Sequence, residues 1–383
     1  MIRTGGVNWP VEMSAAGRLE VRITAADVGK RVSVRRLTGA SGTEGKFTDT
    51  VGVLTSWDDD VLVITRRDGE AVPIARASLV AGKVVPAAPA RRRGPAASYE
   101  ELARVSARAW RPVESERLGA WELRAAVGEA PRGAGPWGAV AGRRVGFTRR
   151  ANSVLPLGDP GVPLDEALTA VRRWYGARGL PAYVQTATGG AGTQELLCAE
   201  LERRGWVREV TAELWVGALA PVADLRDGPG GVVLSRTADD AWLARYQRKG
   251  VSDVALRVLG GGSPRASEAE RGGGPSVWFA AVPGAEGVPG AEGVPDAIGR
   301  LVVDGRWAGF AAVEVAPERR RLGLATTVMA ALARRALDEG ASAAWLQVET
   351  ENAGARELYA GMGFSAHHAY HHYRQPDPRA SAD

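Results

Sequence analysis

Between residues 19 and 86 apolar and polar positions alternate in short runs, the signature of half-buried strands. The runs predict strands over 31–36, 50–57, 61–65, 71–75 and 83–85. Turn residues separate them at 39–45, at Asp58-Asp59-Asp60 and at Asp68-Gly69. The last pair, set between two apolar runs, is a hairpin signal. Strands this closely spaced fit a small β-barrel, and nothing in them suggests chemistry. Residues 87–97 read as a linker, rich in Pro and Ala around the bare charge run Arg91-Arg92-Arg93.

From residue 98 a period of 3.6 takes over in places. Helices are predicted over 100–110, 164–178, 193–204, 239–248, 254–259, 321–339 and 353–362. Strands are predicted over 121–126, 144–151, 182–186, 211–216, 232–235, 277–282, 297–303, 307–315, 343–349 and 366–374. Asp165 and Glu166 suit the first turn of their helix, and Gly340 stands where a helix cap belongs. The same order of elements runs through 98–219 and again through 231–375. ELLCAELERRGW (195–206) is echoed by ARELYAGMGF (355–364), each a helix ending in Gly plus an aromatic residue. Another aromatic follows nine residues on, Trp215 and Tyr373. A repeat of this length is too long for a solenoid and predicts a duplicated domain of mixed α/β type. The hexamer GAEGVP, twice in tandem at 284–289 and 290–295, reads as a surface insert.

Composition narrows the picture. A chain of 383 residues suggests two or three domains. With 45% hydrophobic and 24% charged residues it is neither disordered, collagen-like nor a disulfide scaffold. No apolar run approaches the ~18 residues of a membrane span, and the first twenty residues hold no apolar leader block. Cys198 is the only cysteine, so no intrachain disulfide is expected, and the expected location is the reducing cytoplasm. The net charge is +5, yet only Lys30, Lys46, Lys83 and Lys249 are lysines. The other basic residues are arginines, which favour bidentate oxyanion contacts. They are scattered, so neither a nucleic acid nor a membrane is the expected partner.

The chemistry concentrates in VEVAPERRRLGLATTVMAALARRALDEG, residues 313–340. A β-branched strand ends at Pro317, and a basic, glycine-containing loop opens a long amphipathic helix. Unpaired N–H groups at a helix N-terminus, the helix dipole and nearby guanidinium groups together make an anion site. The loop lacks the Gly-Lys-Ser/Thr of a P-loop and is not GxGxxG.

This stretch resembles the acetyl-CoA loop of the GNAT superfamily of N-acetyltransferases, Arg/Gln-x-x-Gly-x-Gly/Ala, here Arg320-x-x-Gly323-x-Ala325. The strand before it and LQVETENAGARELYAGMGF (346–364) after it match the family as well, so the resemblance covers 231–375. It implies two splayed strands with the pantothenate arm between them, pairing with backbone at Val313 and Val315. It also implies a pyrophosphate on Arg320, Arg321, Leu322, Gly323, Leu324, Ala325 and Thr326, and Asn352 facing the pantetheine arm. Tyr359 stands where many members place a general acid for the departing thiolate. The candidate bases are Glu349, preferred, and Glu314. In the ribosomal-protein alanine acetyltransferases a base Glu takes the position of Gln347, and Gln cannot serve.

The first copy, 98–219, lacks this loop. Asp159, Asp165 and Glu166 stand where anion-binding groups are needed, and Leu197-Cys198 occupies the region of the Leu-Tyr pair. The expected architecture is α/β (α+β): tandem GNAT folds, the first degenerate, preceded by a small SH3-like β-barrel at 19–86. Mycothiol synthases are distantly similar in pairing a worn lobe with an active one, but lack such a leader. All four histidines lie in HHAYHHYR, 367–374, facing opposite ways in a strand, so no metal site is expected. The expected activity is acetyl transfer from acetyl-CoA to a primary amine of a small molecule or peptide by direct attack. The alternatives are a CoA-binding, nucleic-acid-binding or partner-binding module, or a protein acetyltransferase targeted by the SH3-like domain.

Overall fold

The computed structural model describes residues 20–38, 46–86, 94–129, 144–225, 231–246, 252–261, 274–284 and 293–376. The charge run at 91–93 and most of the GAEGVP tandem lie outside these residues. Residues 1–64 with 71–86 form one compact unit, and 65–70 with 87–383 form the other.

In the first unit the alternation folds as written. Strands Arg31–Thr38 (β1), Lys46–Trp57 (β2), Val61–Thr65 (β3), Ala71–Ala75 (β4) and Leu79–Val84 (β5) form one sheet in the order β4-β3-β2-β1-β5. Val32, Val34, Leu54, Leu62, Ile64, Val72 and Ile74 point to a single core with Ile23. β5 begins four residues earlier than its pattern suggests, because a bulge between Arg35 and Arg36 brings Leu79 into register with β1.

The second unit opens with helix Tyr99–Ala109 (α1). Strands Glu114–Leu118 (β6), Trp121–Ala125 (β7), Val127–Glu129 (β8), Arg144–Gly146 (β9) and Leu155–Pro156 (β10) follow. Next come helix Leu164–Gly176 (α2), strand Tyr183–Thr188 (β11), helix Glu195–Arg203 (α3), strand Val207–Ala218 (β12) and a short helix Leu219–Ala223 (α4). Only the closing part of that order, a run of strands and then helix, strand, helix and strand, recurs in the second half. Strand Val233–Ser235 (β13), helices Asp240–Arg245 (α5) and Asp253–Leu259 (α6), and strands Ser276–Val282 (β14), Ala297–Asp304 (β15) and Trp307–Val315 (β16) lead to helix Leu324–Asp338 (α7). Strand Ala343–Glu349 (β17), helix Ala353–Gly361 (α8) and strand Ser365–Arg374 (β18) complete the order.

The predicted strand at 144–151 stops at Gly146. Asn152 donates to the Thr148 carbonyl and accepts from the Ala126 N–H, bending the chain into a 3-10 turn. The predicted helix at 321–339 begins only at Leu324, because Arg321 (φ 65°) and Gly323 (φ 82°) are left-handed.

Eight strands form the main sheet in the order β11-β18-β12-β17-β16-β15-β14-β13. Neither half closes its own sheet: β12 lies between β17 and β18, and β18 lies between β11 and β12. The two copies have exchanged their last strands. A parallel bridge between Val154 and Val184 extends the array toward the β10-β7-β6 sheet. The repeat is visible atom by atom at the helix ends. Trp206 donates to the Leu201 carbonyl and Phe364 to the Tyr359 carbonyl, each at 3.0 Å, after Gly205 and Gly363 at φ 75° and 89°.

The sheet is buried on both faces. Leu324, Val328 and Leu332 of α7 pack with Leu346, Val348 and Phe364 on one side. Trp110, Trp242, Tyr246 and Val258 pack with Ile298, Val302 and Trp345 on the other. Gly299 lets α7 rest on the strand, since a Cβ there would lie 2.5 Å from Val328 Cγ1. A fully buried arginine ties the second face together. Arg300 Nε donates to the Leu259 carbonyl at 2.7 Å and Nη2 to the Ala109 carbonyl at 2.9 Å. These are the C-terminal ends of α6 and α1, where carbonyls lack intrahelical partners. Burial pushes the Arg300 guanidinium down to about 10, so it stays charged at neutral pH and meets the negative ends of two helix dipoles. Arg300→Ala should therefore cost about 3 kcal/mol in urea unfolding. A loss below ~1 kcal/mol would mean that the helix ends find other donors.

Candidate active site

The site begins where two parallel strands part. β16 pairs with β17 only from Trp307↔Ala343 to Phe310↔Leu346. Beyond that point the β15–β16 register slips between Ile298 and Arg300, and Ala312 takes φ 50°. A bulge re-aims the strand there. Val313, Glu314 and Val315 leave β17 and stand half-exposed, while residues 347–349 pair only with β12 on their far side. The Ala316 N–H donates to the Asp296 carbonyl, so by strand alternation the Val315 amide points the opposite way, into the gap.

At the end of β16 the chain makes a 3-10 turn over Pro317–Arg319. Arg319 is drawn aside by Asp296, Nε to Oδ2 at 2.9 Å. Arg320 and Arg321 remain exposed and form no ion pair among the described residues. Thr327 N–H to the Gly323 carbonyl is the first bond of α7, so the N–H groups of Leu324, Ala325 and Thr326 are unpaired within the helix. No atom lies within 4 Å of a Cβ built on Gly323; its left-handed φ, not crowding, calls for glycine. Leu322 is exposed beside it. Unpaired N–H groups beside two exposed guanidinium groups fit an anionic group.

The face of β17 that carries Trp345, Gln347 and Glu349 opens into two neighbouring cavities. Glu314, Gln347 and Trp345 line one of ≈ 140 Å³, together with Trp110 and Tyr246. Glu349 lines the other, of ≈ 370 Å³, with Tyr183, Tyr370 and His372. The two predicted carboxylates are thus brought near one another but not into one cavity. Arg150 lines both. It sits 5.5 Å from the Trp110 ring centre and donates to the Tyr370 hydroxyl from Nε and Nη2 at 3.2 and 3.0 Å. Tyr370, Ala212 and Glu349 form one row across β18, β12 and β17. Sequence reasoning missed Arg150: it falls in a stretch read as strand, with no motif around it.

The other predicted residues are placed as follows. Tyr359, in α8, is half-buried against Phe364, 6.2 Å between ring centres, and burial pushes its phenol up to about 12. Asn352 caps α8, its Oδ1 accepting from the Ala355 N–H at 3.1 Å. In the first copy the matching helix-end bonds put Leu201, not Leu197 or Cys198, in the place of Tyr359. Asp159 accepts from the Gly161 N–H, and Asp165, at the start of α2, is held by Arg204 at 2.6 Å. Pro163 caps that helix without a side-chain hydrogen bond, and Asp165 and Glu166 stand in its first turn.

Among the histidines, His371 is held by the Thr188 and Thr211 hydroxyls, each at 2.9 Å. His368 meets Tyr99 edge-on. His372 is 3% exposed, and among the described residues neither ring nitrogen has a hydrogen-bond partner. Among the described residues no group of three or more His, Cys, Asp or Glu could hold a metal ion, and no helix is long and apolar enough to cross a membrane.

A family model described as the C-terminal part of the probable histone acetyltransferase Rv0428c matches residues 134–373, and one described as the Rv0428c N-terminal Sm-like domain matches 26–83. No curated protein matches the sequence. Among solved structures, a GCN5-related N-acetyltransferase from Kribbella flavida aligns at 17% identity over 74% of this chain and 99% of its own, with a TM-score of 0.45. A tandem GNAT protein from the clavulanic acid biosynthesis pathway aligns at 16% identity over 74% and 91%, with a TM-score of 0.46. A GCN5-related N-acetyltransferase from Sphaerobacter thermophilus aligns at 14% over 58% and 72%, with a TM-score of 0.36.

The buried histidines set a pH limit on the fold. Burial pushes His368 and His371 down to about 3, and burial with Arg150 and Arg124 nearby holds His372 well below its ordinary value. An unfolded histidine titrates near 6.5, so below that pH the unfolded chain binds the extra protons. Stability should be level above about pH 6.5 and fall by up to about 1.4 kcal/mol per histidine per pH unit as pH drops to 5. Urea midpoints across this window check it. A level midpoint would show that these imidazoles accept protons in the folded chain.

Proposed function

We propose that this chain, which belongs to the family of the probable histone acetyltransferase Rv0428c, transfers the acetyl group of acetyl-CoA to a primary amine by direct attack. The observation that carries this reading is the parting of β16 from β17 directly before the donor-rich loop at the start of α7. In this reading residues 231–375 are the catalytic domain, 98–219 a degenerate copy, and 19–86 a small barrel joined by the linker 87–97. The pyrophosphate rests on Arg320, Arg321 and the N–H groups from Leu322 to Thr326. The pantothenate arm adds to the open edge at Val313 and Val315, with Asn352 alongside.

The amine nitrogen attacks the thioester carbonyl, and the oxyanion is held by backbone N–H near Val313 to Val315. The C–S bond then breaks, the thiolate takes the proton of Tyr359, and the nitrogen of the forming amide gives up its second proton, which restores the Tyr359 phenol. A phenol with a raised pKa stays protonated until that moment. The proton of the ammonium goes to a carboxylate, Glu349 first and Glu314 as its competitor. No cysteine stands near the loop, which supports direct attack over an acyl-enzyme. A second reading, transfer to a protein lysine, is favoured by the family's description.

Calorimetric titration with acetyl-CoA tests the binding half. Arg320→Glu with Arg321→Glu should weaken binding at least about tenfold and raise KM in step. No binding by the natural chain would leave a protein without the cofactor, and the enzyme reading would fall. Tyr359→Phe should lower kcat about 10²-fold at near-constant affinity, and Glu349→Gln by a similar factor. If Glu314→Gln carries the loss instead, the base changes place.

A further inference from the structure

The larger cavity holds an unusual balance of charge. Arg150 has the Tyr370 hydroxyl as its only polar partner among the described residues, and no carboxylate pairs with it. Arg149, by contrast, is matched by Glu209 at 3.1 Å. Glu349 lines the same cavity and forms no ion pair among the described residues. The cavity lining carries a third unmatched group: His372, 3% exposed, with both ring nitrogens lacking a partner among the described residues. A neutral imidazole offers one donor and one acceptor, and leaving them unpaired in a buried place is destabilising. A half-buried guanidinium without a carboxylate favours an oxyanion. An exposed carboxylate beside it favours an ammonium.

We propose that the acceptor is a small zwitterion, an amine that also carries an oxyanion, held with its oxyanion on Arg150 and His372 and its amine toward Glu349. This rests on the acetyltransferase reading and names its substrate class. Arg150 is placed for the task, because it also lines the cavity of Glu314 and Gln347 at the parted strands. The row Tyr370, Ala212, Glu349 fits as well. Two strand spacings, about 10 Å, separate its ends, and the small Ala212 leaves the floor open between them. Tyr370 fixes the guanidinium through its hydroxyl and is a positioning residue. A carboxylate and a phosphate share the chemistry that Arg150 reads.

The test uses the full chain and three probes: butyrate, inorganic phosphate and butylamine. The chain has only four histidines, so their imidazole signals in a proton NMR spectrum are few, and His372→Gln assigns the one that matters. Butyrate or phosphate should shift the His372 signal saturably, the tighter ion naming the oxyanion, and butylamine should not shift it alone. Arg150→Gln should weaken that binding at least about tenfold while acetyl-CoA affinity stays unchanged. An unmoved His372 signal with both oxyanions would overturn the proposal, as would equal binding by Arg150→Gln at an unchanged melting temperature. Acetylation of a lysine peptide free of acidic groups at the same kcat/KM by both proteins would favour the protein-lysine reading instead. Loss of acetyl-CoA binding with the oxyanion site intact would remove the acetyltransferase reading and leave the pocket standing.

Discussion

The exchange of last strands is the constraint on which the second unit depends. β17 carries Gln347 and Glu349, and the strand that backs it is β12, from the copy without the loop. β11 in turn is closed by β18, from the copy with the loop. Neither half has a complete sheet without the other, so the half without the loop cannot be removed and leave the other's sheet whole. The exchange also builds the larger cavity. Its row of Tyr370, Ala212 and Glu349 draws on three strands, and Arg150 reaches it from the first copy. The half without the loop supplies a wall and a guanidinium.

Much of the fold was legible, because periodicity reports which face of an element is buried. β3, β4, β16 and β17 fall on their predicted residues. β6 was not legible: ESERL is exposed along nearly its whole length, so no alternation marks it. α4 contains Pro221 and breaks the usual helix signal. The exchange was equally hidden. Periodicity says that β12 and β18 are strands, but not whose neighbours they become.

The loop at the start of α7 was legible for a related reason. Its parts are consecutive in sequence, so spacing alone assembles Arg320, Gly323 and Ala325. Residues joined by packing were not. Arg150 meets Tyr370 across 220 positions, and nothing near it announces the encounter. The histidines divide along the same line. That neighbours in β18 face opposite ways was readable, whereas the Thr188 and Thr211 hydroxyls that satisfy His371 come from two other strands. The matching of Leu201 with Tyr359 needed the helix-end bonds, since the two copies share too few residues there for a register.

The exchanged strand has a consequence for how the molecule is made. β11 is complete by residue 188, yet the strand that covers its edge is residues 365–374. A ribosome adding about 5–20 residues per second leaves that edge bare for roughly ten seconds or more. During that time the first copy presents unpaired N–H and C=O groups, the ordinary template for joining another chain. The last strand to emerge is thus the one that withdraws both halves from misassembly, and a nascent chain that stalls before it is the form most in need of a chaperone.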